Sequence, residues 1–306
     1  MTTNEGRGDE SARPRVVCAG HVNWDVTIGV DALPEPDGEA TIARQSGAGG
    51  GSAANVAAGL AGLDCAPLLL GSVGDDEYGT LARDELAATG VDCSRVRQVE
   101  DGETTVKYLV VDETGAVMVL ADDGVNEQFA ADDLPRETLA DADWLHLTGQ
   151  PPRVAETLAR RASDLRVPVS FDPGRRLADR EFGPVFELAD VVFLNEREAD
   201  VGGDRALLAD DATQVVRTRG ADGATLWDDG QRRTHEGFEV TTFNTAGAGD
   251  AFAAGFLAAH LDGAGEERAL AVGNACGALA ASAPETRVSL SWPALDRYLE
   301  GVPSSD

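Results

Sequence analysis

The chain has 306 residues, enough for one large α/β domain with a sizeable core or for two modest ones. Its 54 acidic residues against 25 basic ones give a net charge of −29, which excludes electrostatic capture of nucleic acid or of an anionic membrane surface. No apolar run approaches the roughly 18 residues that a membrane span needs, so no membrane partner is expected.

The acid is spread along the chain instead of collected in a tail, the pattern of a halophilic cytosol in which solvated carboxylates keep proteins soluble in concentrated salt. A cytoplasmic location follows as an expectation. Cys18, Cys65, Cys93 and Cys276 form no C-x-x-C pair, and with the four histidines they make no zinc spacing. Their apolar neighbours suggest buried free thiols in a reducing compartment. No G-x-S-x-G elbow occurs. Residues 1–13 are polar and lack the apolar core of a secretory signal, so they read as a disordered tail ahead of one α/β domain over residues 14–306.

Arg15 to Gly20 is a short β-branched run ending in glycine, the form of a buried parallel strand. Polar residues just beyond such a strand sit where open α/β sheets bind ligands. Asn23 and Asp25 are therefore candidates for holding neighbouring sugar hydroxyls, a self-capped turn being the plainer alternative. Residues 26–46 and 104–121 each alternate apolar and polar around a turn, predicting two antiparallel ribbons that make a small second layer, a lid able to exclude water. Between them, Gly47 to Asn55 paves the way into an alanine-rich helix reaching about Leu63. The Gly49-x-Gly51-x-x-Ala54 spacing resembles a dinucleotide fingerprint but follows a ribbon instead of the first buried strand, which argues against that use. Gly50, Gly51 and Asn55 suit close approach to a polyol, or a hinge between lid and core.

Leu68 to Val73, Trp144 to Leu147, Val169 to Phe171, Val191 to Leu194 and Val215 to Thr218 read as further buried strands alternating with helices, such as 77–88, 154–163 and 266–281. That alternation predicts a doubly wound, mostly parallel sheet with helices on both faces. Asp172, Arg175 and Arg176 follow one strand. Asn195 and Glu198 follow another, three apart at a helix start, where they share a face and suit a hydrated magnesium or simply solvent.

The last motif, Asn244-Thr245-Ala246-Gly247-Ala248-Gly249-Asp250, runs into an apolar helix with Phe252, Phe256 and Leu257 at helical spacing. A helix start presents unpaired N–H groups and partial positive charge, so an anion is attracted there. Asp250 repels that anion, an expense that makes sense if its carboxylate accepts a proton from a hydroxyl attacking phosphorus. A first-turn acid that merely complements the helix dipole is the alternative at this position.

Taken together, residues 23–25, 49–55, Asp172-Pro173, Asn195-Glu196-Arg197-Glu198 and 244–250 resemble, in order and spacing, the ribokinase-like or PfkB-type carbohydrate kinases, from about Val16 to Tyr298. The resemblance implies transfer of the γ-phosphoryl of ATP to a hydroxyl of a sugar or nucleoside. By its pattern Asp250 is the base, and Gly247, Ala248 and Gly249 give the anion hole. Asn195 and Glu198 organise Mg²⁺ and phosphates, Thr218 and Gly220 line the nucleotide site, and Asn274 falls in the adenine pocket. Asn23, Asp25, Gly50, Gly51 and Asn55 hold the acceptor, and the ribbons form a lid that often also serves as a homodimer interface.

Two departures from the pattern stand out. Asn244 replaces the aspartate most members carry beside a monovalent-cation site, so K⁺ binding is expected to be weak, with a potassium-rich cytosol compensating. Ser52 replaces the lysine of ribokinases proper, so a phosphosugar acceptor would need arginines such as Arg44, Arg175 or Arg176. Sugar, nucleoside and sugar-phosphate acceptors all remain open, and a sugar-binding regulator without turnover is the alternative from another class.

Overall fold

The computed structural model describes residues 13–114, 116–203, 213–283 and 287–300. The strands in chain order are β1 (Arg15–Ala19), β2 (Asn23–Val30), β3 (Ile42–Gly50), β4 (Ala66–Gly74), β5 (Asp92–Val99), β6 (Val106–Val111) and β7 (Val117–Asp122). After them come β8 (Trp144–Leu147), β9 (Val169–Phe171), β10 (Val191–Asn195), β11 (Gln214–Thr218), β12 (Ala224–Asp228) and β13 (Gln231–His235).

Short β-branched and leucine-rich runs, buried on both faces, assemble as expected into one large sheet in the order β13-β12-β11-β10-β9-β8-β1-β4-β5. Pairing is parallel from β11 to β5, while β12 and β13 add an antiparallel edge. One face is covered by α1 (Ser52–Gly62) and two late helices treated below, whose alanines and phenylalanines pack into one core with Val16, Cys18 and Phe193. The other face carries a separate core built from Val17, Leu145, Leu158, Phe171 and Phe182. Between β4 and β5 lies α2 (Glu77–Ala88), its N-cap Asp76 accepting from Gly79 N–H at 2.7 Å.

The two ribbons join into a second sheet in the order β3-β2-β6-β7. Within it β2–β3 and β6–β7 are antiparallel and β2–β6 is parallel. This is the expected lid, with two corrections. Asn23 and Asp25 lie inside β2 instead of in a loop after β1, because Gly20–Val22 suffices to turn the chain and Asn23 pairs at once with Gly50. The second ribbon strand begins at Ile42, the prolines and glycine at 34–38 leaving residues 39–41 outside regular pairing. The expected tail, apart from Arg13, lies outside the described residues. Among the described residues no helix is long and apolar enough to cross a membrane.

Candidate active site

The two late helices are α7 (Ala248–Leu261) and α8 (Glu266–Ala281), numbered after the short helices α3 (Arg136–Ala140), α5 (Gly183–Phe186) and α6 (Glu196–Glu198) and the longer α4 (Pro152–Leu165). Gly247 caps α7 with φ +78°, a conformation that glycine adopts without strain. The first i→i−4 bond runs from Ala251 N–H to the Gly247 carbonyl, so the N–H groups of Gly249 and Asp250 lie ahead of the ladder. Open space surrounds Gly249, where an added Cβ would meet nothing within 4 Å. Asn244 sets up the approach: its Oδ1 accepts from Ala246 N–H at 3.0 Å, an Asx turn ahead of the cap.

The Asp250 side chain does not turn into the core. Asn55, on the first turn of α1, donates from Nδ2 to its Oδ2 at 2.8 Å. Desolvation pushes the Asp250 carboxyl up to about 6, against the lowering effects of the Asn55 and Ser52 hydrogen bonds and of the Lys107 and Arg287 charges. A carboxylate of this affinity is able to accept a proton near pH 7.

Around this pair stand further buried polar groups. Asp25 is 8% exposed, its Oδ1 is buried without a partner, and burial raises its carboxyl above the usual range despite Lys107 and Arg287. Gly50 lies so close to the Asp25 carboxylate that any side chain there would strike it. Gly51, at φ +98°, is likewise pressed against the His21 carbonyl. Asn23, wholly buried, accepts from the Asn126 amide, whose own Oδ1 takes Val22 N–H at 2.8 Å. A buried carboxylate oxygen left unpaired beside two asparagines is an invitation to hydroxyl donors.

Sequence reasoning missed Arg287. Its guanidinium, 8% exposed, donates from Nε to Asn55 Oδ1 at 3.1 Å, from Nη1 to Glu85 Oε1 at 2.9 Å and from Nη2 to the Gly50 carbonyl at 3.4 Å. Glu85, on α2, in turn accepts Gly49 N–H at 2.9 Å. Arg287 thereby fixes which way the Asn55 amide faces, leaving its NH₂ for Asp250. Only its burial reveals it, since the stretch after α8 has no pattern.

The nucleotide-side candidates divide. Asn195 and Thr218 are register partners at the ends of β10 and β11. Asn195 and Glu198 bind each other as a capping box: Asn195 N–H donates to Glu198 Oε2 at 2.8 Å, and Glu198 N–H to Asn195 Oδ1 at 3.0 Å. The carboxyls of Glu198 and Asp172 are both raised, chiefly by burial, and Asp172 also by the charges of Glu198 and Asp250. Thr218 Oγ1 reaches the Leu194 carbonyl only at 3.5 Å, and Gly220 opens a short turn with φ +57° and open space around it. Asn274 sits on α8 as expected, but its amide donates back to the Leu270 carbonyl at 2.9 Å. Thus Asp25, Gly50, Gly51, Asn55 and Asp250 come together in one cluster around Arg287, whereas Asn274 and Gly220 share no contact with them among the described residues.

Residues 13–293 match the pfkB family of carbohydrate kinases. The chain is 49% identical over 294 residues to the ATP-dependent ribose-1-phosphate kinase of Halopiger xanaduensis, covering 93% of this chain and 98% of that protein. It is 27% identical to a nucleoside kinase of Methanothermobacter thermautotrophicus, over 81% of this chain and 83% of the other. The fold is that of the Thermotoga maritima ribokinase, with TM-score 0.84, 22% identity and coverage of 95% of this chain and all of that one, 100%. The Methanocaldococcus jannaschii nucleoside kinase gives TM-score 0.83 and 23% identity over 94% and 98% of the two chains. The chain belongs to the pfkB carbohydrate kinase family and is an ATP-dependent kinase that phosphorylates a hydroxyl group of a small carbohydrate.

Proposed function

We propose that the acceptor is a pentose that already carries a phosphate, as the name of the Halopiger relative states for that protein, and that Asp250 is the base of the reaction. The observation that carries the second half is the Asn55–Asp250 contact: a carboxylate with its proton affinity tuned near 6, held on the first turn of a helix with open space beside Gly249. In this reading the acceptor lies under β2 and β3, its ring hydroxyls taken by Asp25, Asn23 and Asn55, with Gly50 and Gly51 leaving room for the ring. The free hydroxyl meets Asp250. As its oxygen forms the bond to the γ-phosphorus and ADP leaves, its proton passes to the carboxylate, and the N–H groups of Gly247 and Gly249 steady the charge on the phosphoryl oxygens, that of Ala248 being bonded to the Thr245 carbonyl at 3.3 Å.

Thr218, Gly220, Asn195 and Asn274 serve the nucleotide. Mg²⁺ fits the chemistry of Glu198 and Asp172, two carboxyls raised chiefly by burial, Asp172 also by the neighbouring charges of Glu198 and Asp250. One Glu198 oxygen is committed to the capping box, and no group of three or more acidic, histidine or cysteine side chains able to hold a metal occurs among the described residues. Magnesium would therefore be held mainly by the nucleotide and by waters on Glu198, neutralising phosphate charge when bound. The Asn244 amide supports only weak K⁺ binding beside α7. The net charge of −29 and the halophile relative support work in a salt-rich cytoplasm. The exposed Val117, Val119 and Leu120 of β7 support a homodimer formed through the lid.

The test is a phosphoryl-transfer assay in molar KCl with ATP and Mg²⁺, offering ribose 1-phosphate, ribose, fructose and nucleosides, with products read by ³¹P NMR. Ribose 1-phosphate should be turned over with the highest kcat/KM. A higher value for an unphosphorylated acceptor would sink the reading.

A further inference from the structure

Asn55 and Asp250 stand on α1 and α7, which contribute to one core, while Phe171 of β9 and Phe182 after it belong to the other. In the loops after β1 and β9, against the loop after β7, three basic side chains gather in a chain that is overwhelmingly acidic. Arg180 grips Glu127 with two bonds, Nη1 to Oε1 at 2.8 Å and Nη2 to Oε2 at 3.0 Å, and Nη1 also reaches the Gly149 carbonyl at 3.2 Å. His21 Nε2 lies 3.0 Å from the same Glu127 Oε1. Arg176 is held only loosely, its Nη2 3.6 Å from an Asp123 carboxylate that is 87% exposed.

This cluster adjoins the acceptor residues through the chain itself. Asn126 bonds both Asn23 and Val22 N–H, and the next residue, Glu127, anchors His21 and Arg180. We propose that Arg176, Arg180 and His21 form the pocket for the phosphate that the acceptor carries, a deepening that rests on the phosphopentose reading above. Arg180 keeps its Nε–H and one Nη2–H without an acceptor among the described residues, which is the fork that a phosphate monoester takes. Asp123 acts as a placeholder, solvated and readily exchanged for a phosphate oxygen, whereas Glu127 stays in place and keeps Arg180 aimed. A furanose carries its exocyclic hydroxyl and its anomeric substituent on opposite sides of the ring oxygen. In this proposal a bound sugar presents that hydroxyl to Asp250 and its phosphate to the arginines.

Steady-state kinetics of the wild type, R176Q, R180Q and R180K test this, with ribose 1-phosphate and ribose as acceptors and thermal melts to show that each variant is folded. KM for ribose 1-phosphate should rise about tenfold or more in R180Q while kcat changes by less than about threefold, as the loss of a binding interaction shared by ground and transition states requires. The ratio of kcat/KM for ribose 1-phosphate to that for ribose should fall by the same factor, R180K should recover part of it, and inorganic phosphate should become a weaker competitor of the sugar phosphate. Equal losses on both acceptors in folded R180Q and R176Q, or an unchanged ratio, would overturn the phosphate pocket while leaving the sugar-phosphate kinase standing. A wild-type enzyme that uses ribose and refuses ribose 1-phosphate would overturn the acceptor reading and the pocket with it.

Discussion

Replacing Asp250 by asparagine should make the protein both slower and more stable. The substitution keeps the shape of the side chain and an oxygen to accept from Asn55 Nδ2, now at 2.8 Å, and removes only the charge and its basicity. With no base for the incoming hydroxyl, kcat should fall by about a hundredfold to ten-thousandfold. For stability, the sign follows from the raised carboxyl. Its folded value of about 6 lies above the ordinary 3.8, so the folded state holds the proton more tightly than the unfolded chain does. The penalty is therefore absent below about pH 4, grows as pH rises through the window between the two values, and is fully present above about pH 6. Two units correspond to about 3 kcal/mol, and allowing for partial solvation about 1–3 kcal/mol should be relieved by the neutral amide at pH 7.5. Chemical denaturation of D250N and wild type in the same KCl, at pH 7.5 and again at pH 4.5, reads this directly: a gain at the higher pH that shrinks at the lower one. A D250N protein that is no more stable at pH 7.5 would show that the carboxylate is not desolvated as described, and one that keeps near-normal turnover would remove it from the mechanism.

Other outcomes follow from the same cluster. In the wild type, kcat/KM should fall tenfold per unit as pH drops below about 6, because the proton acceptor becomes occupied; a flat profile down to pH 5 would exclude a base of this affinity. Arg287→Met should cost about 1–3 kcal/mol, since it removes the partner of the one-third exposed Glu85 and unlocks the Asn55 amide, and the double change with Glu85→Gln should recover part of that in a denaturation series. Lowering KCl from molar to about 0.1 M should lower the melting temperature by self-repulsion of the carboxylate surface, an effect that an uncharged osmolyte should not reproduce. Asp25→Asn should raise KM for the acceptor by about tenfold to a hundredfold with a smaller effect on the KM for ATP, which acceptor and nucleotide titrations separate.

Local chemistry made part of this legible from the chain alone. A glycine run that breaks into an apolar helix can be recognised anywhere, so the start of α7 and Asp250 stood out, as did the buried strands and the alternating ribbons. The contacts that give Asp250 its setting are long-range and leave no local trace. Asn55 meets it across 195 residues of sequence, and Arg287 crosses 232 to reach Asn55. Glu85 sits in an ordinary amphipathic helix and Glu127 in a polar loop, so neither differs in pattern from a solvated acid. The edge strands β5, β12 and β13 escaped notice because runs such as Arg-Val-Arg-Gln-Val alternate too weakly to stand apart from turns. The place of Asn274 rests on the resemblance alone, with no local pattern behind it, and one N–H of its amide donates to its own helix. Asn195 and Glu198 were placed correctly on one helical turn, and the capping box then limits how much of either is left for a cation.

The meeting of α1 with α7 is made of residues with almost no side chain. A methyl added at Gly59 on α1 would sit 2.7 Å from Ala254 Cβ on α7, and one at Gly255 would sit 2.5 Å from Cys276 Sγ, which ties α7 as closely to α8. Contacts this close have no flexible filler to take up slack, so they fix the spacing of the two helices that carry Asn55 and Asp250. Diversification of substrate choice in such an enzyme is thereby steered elsewhere, to the strands of the lid and the loops after β8 and β9, where side chains lengthen or shorten without shifting the reacting groups.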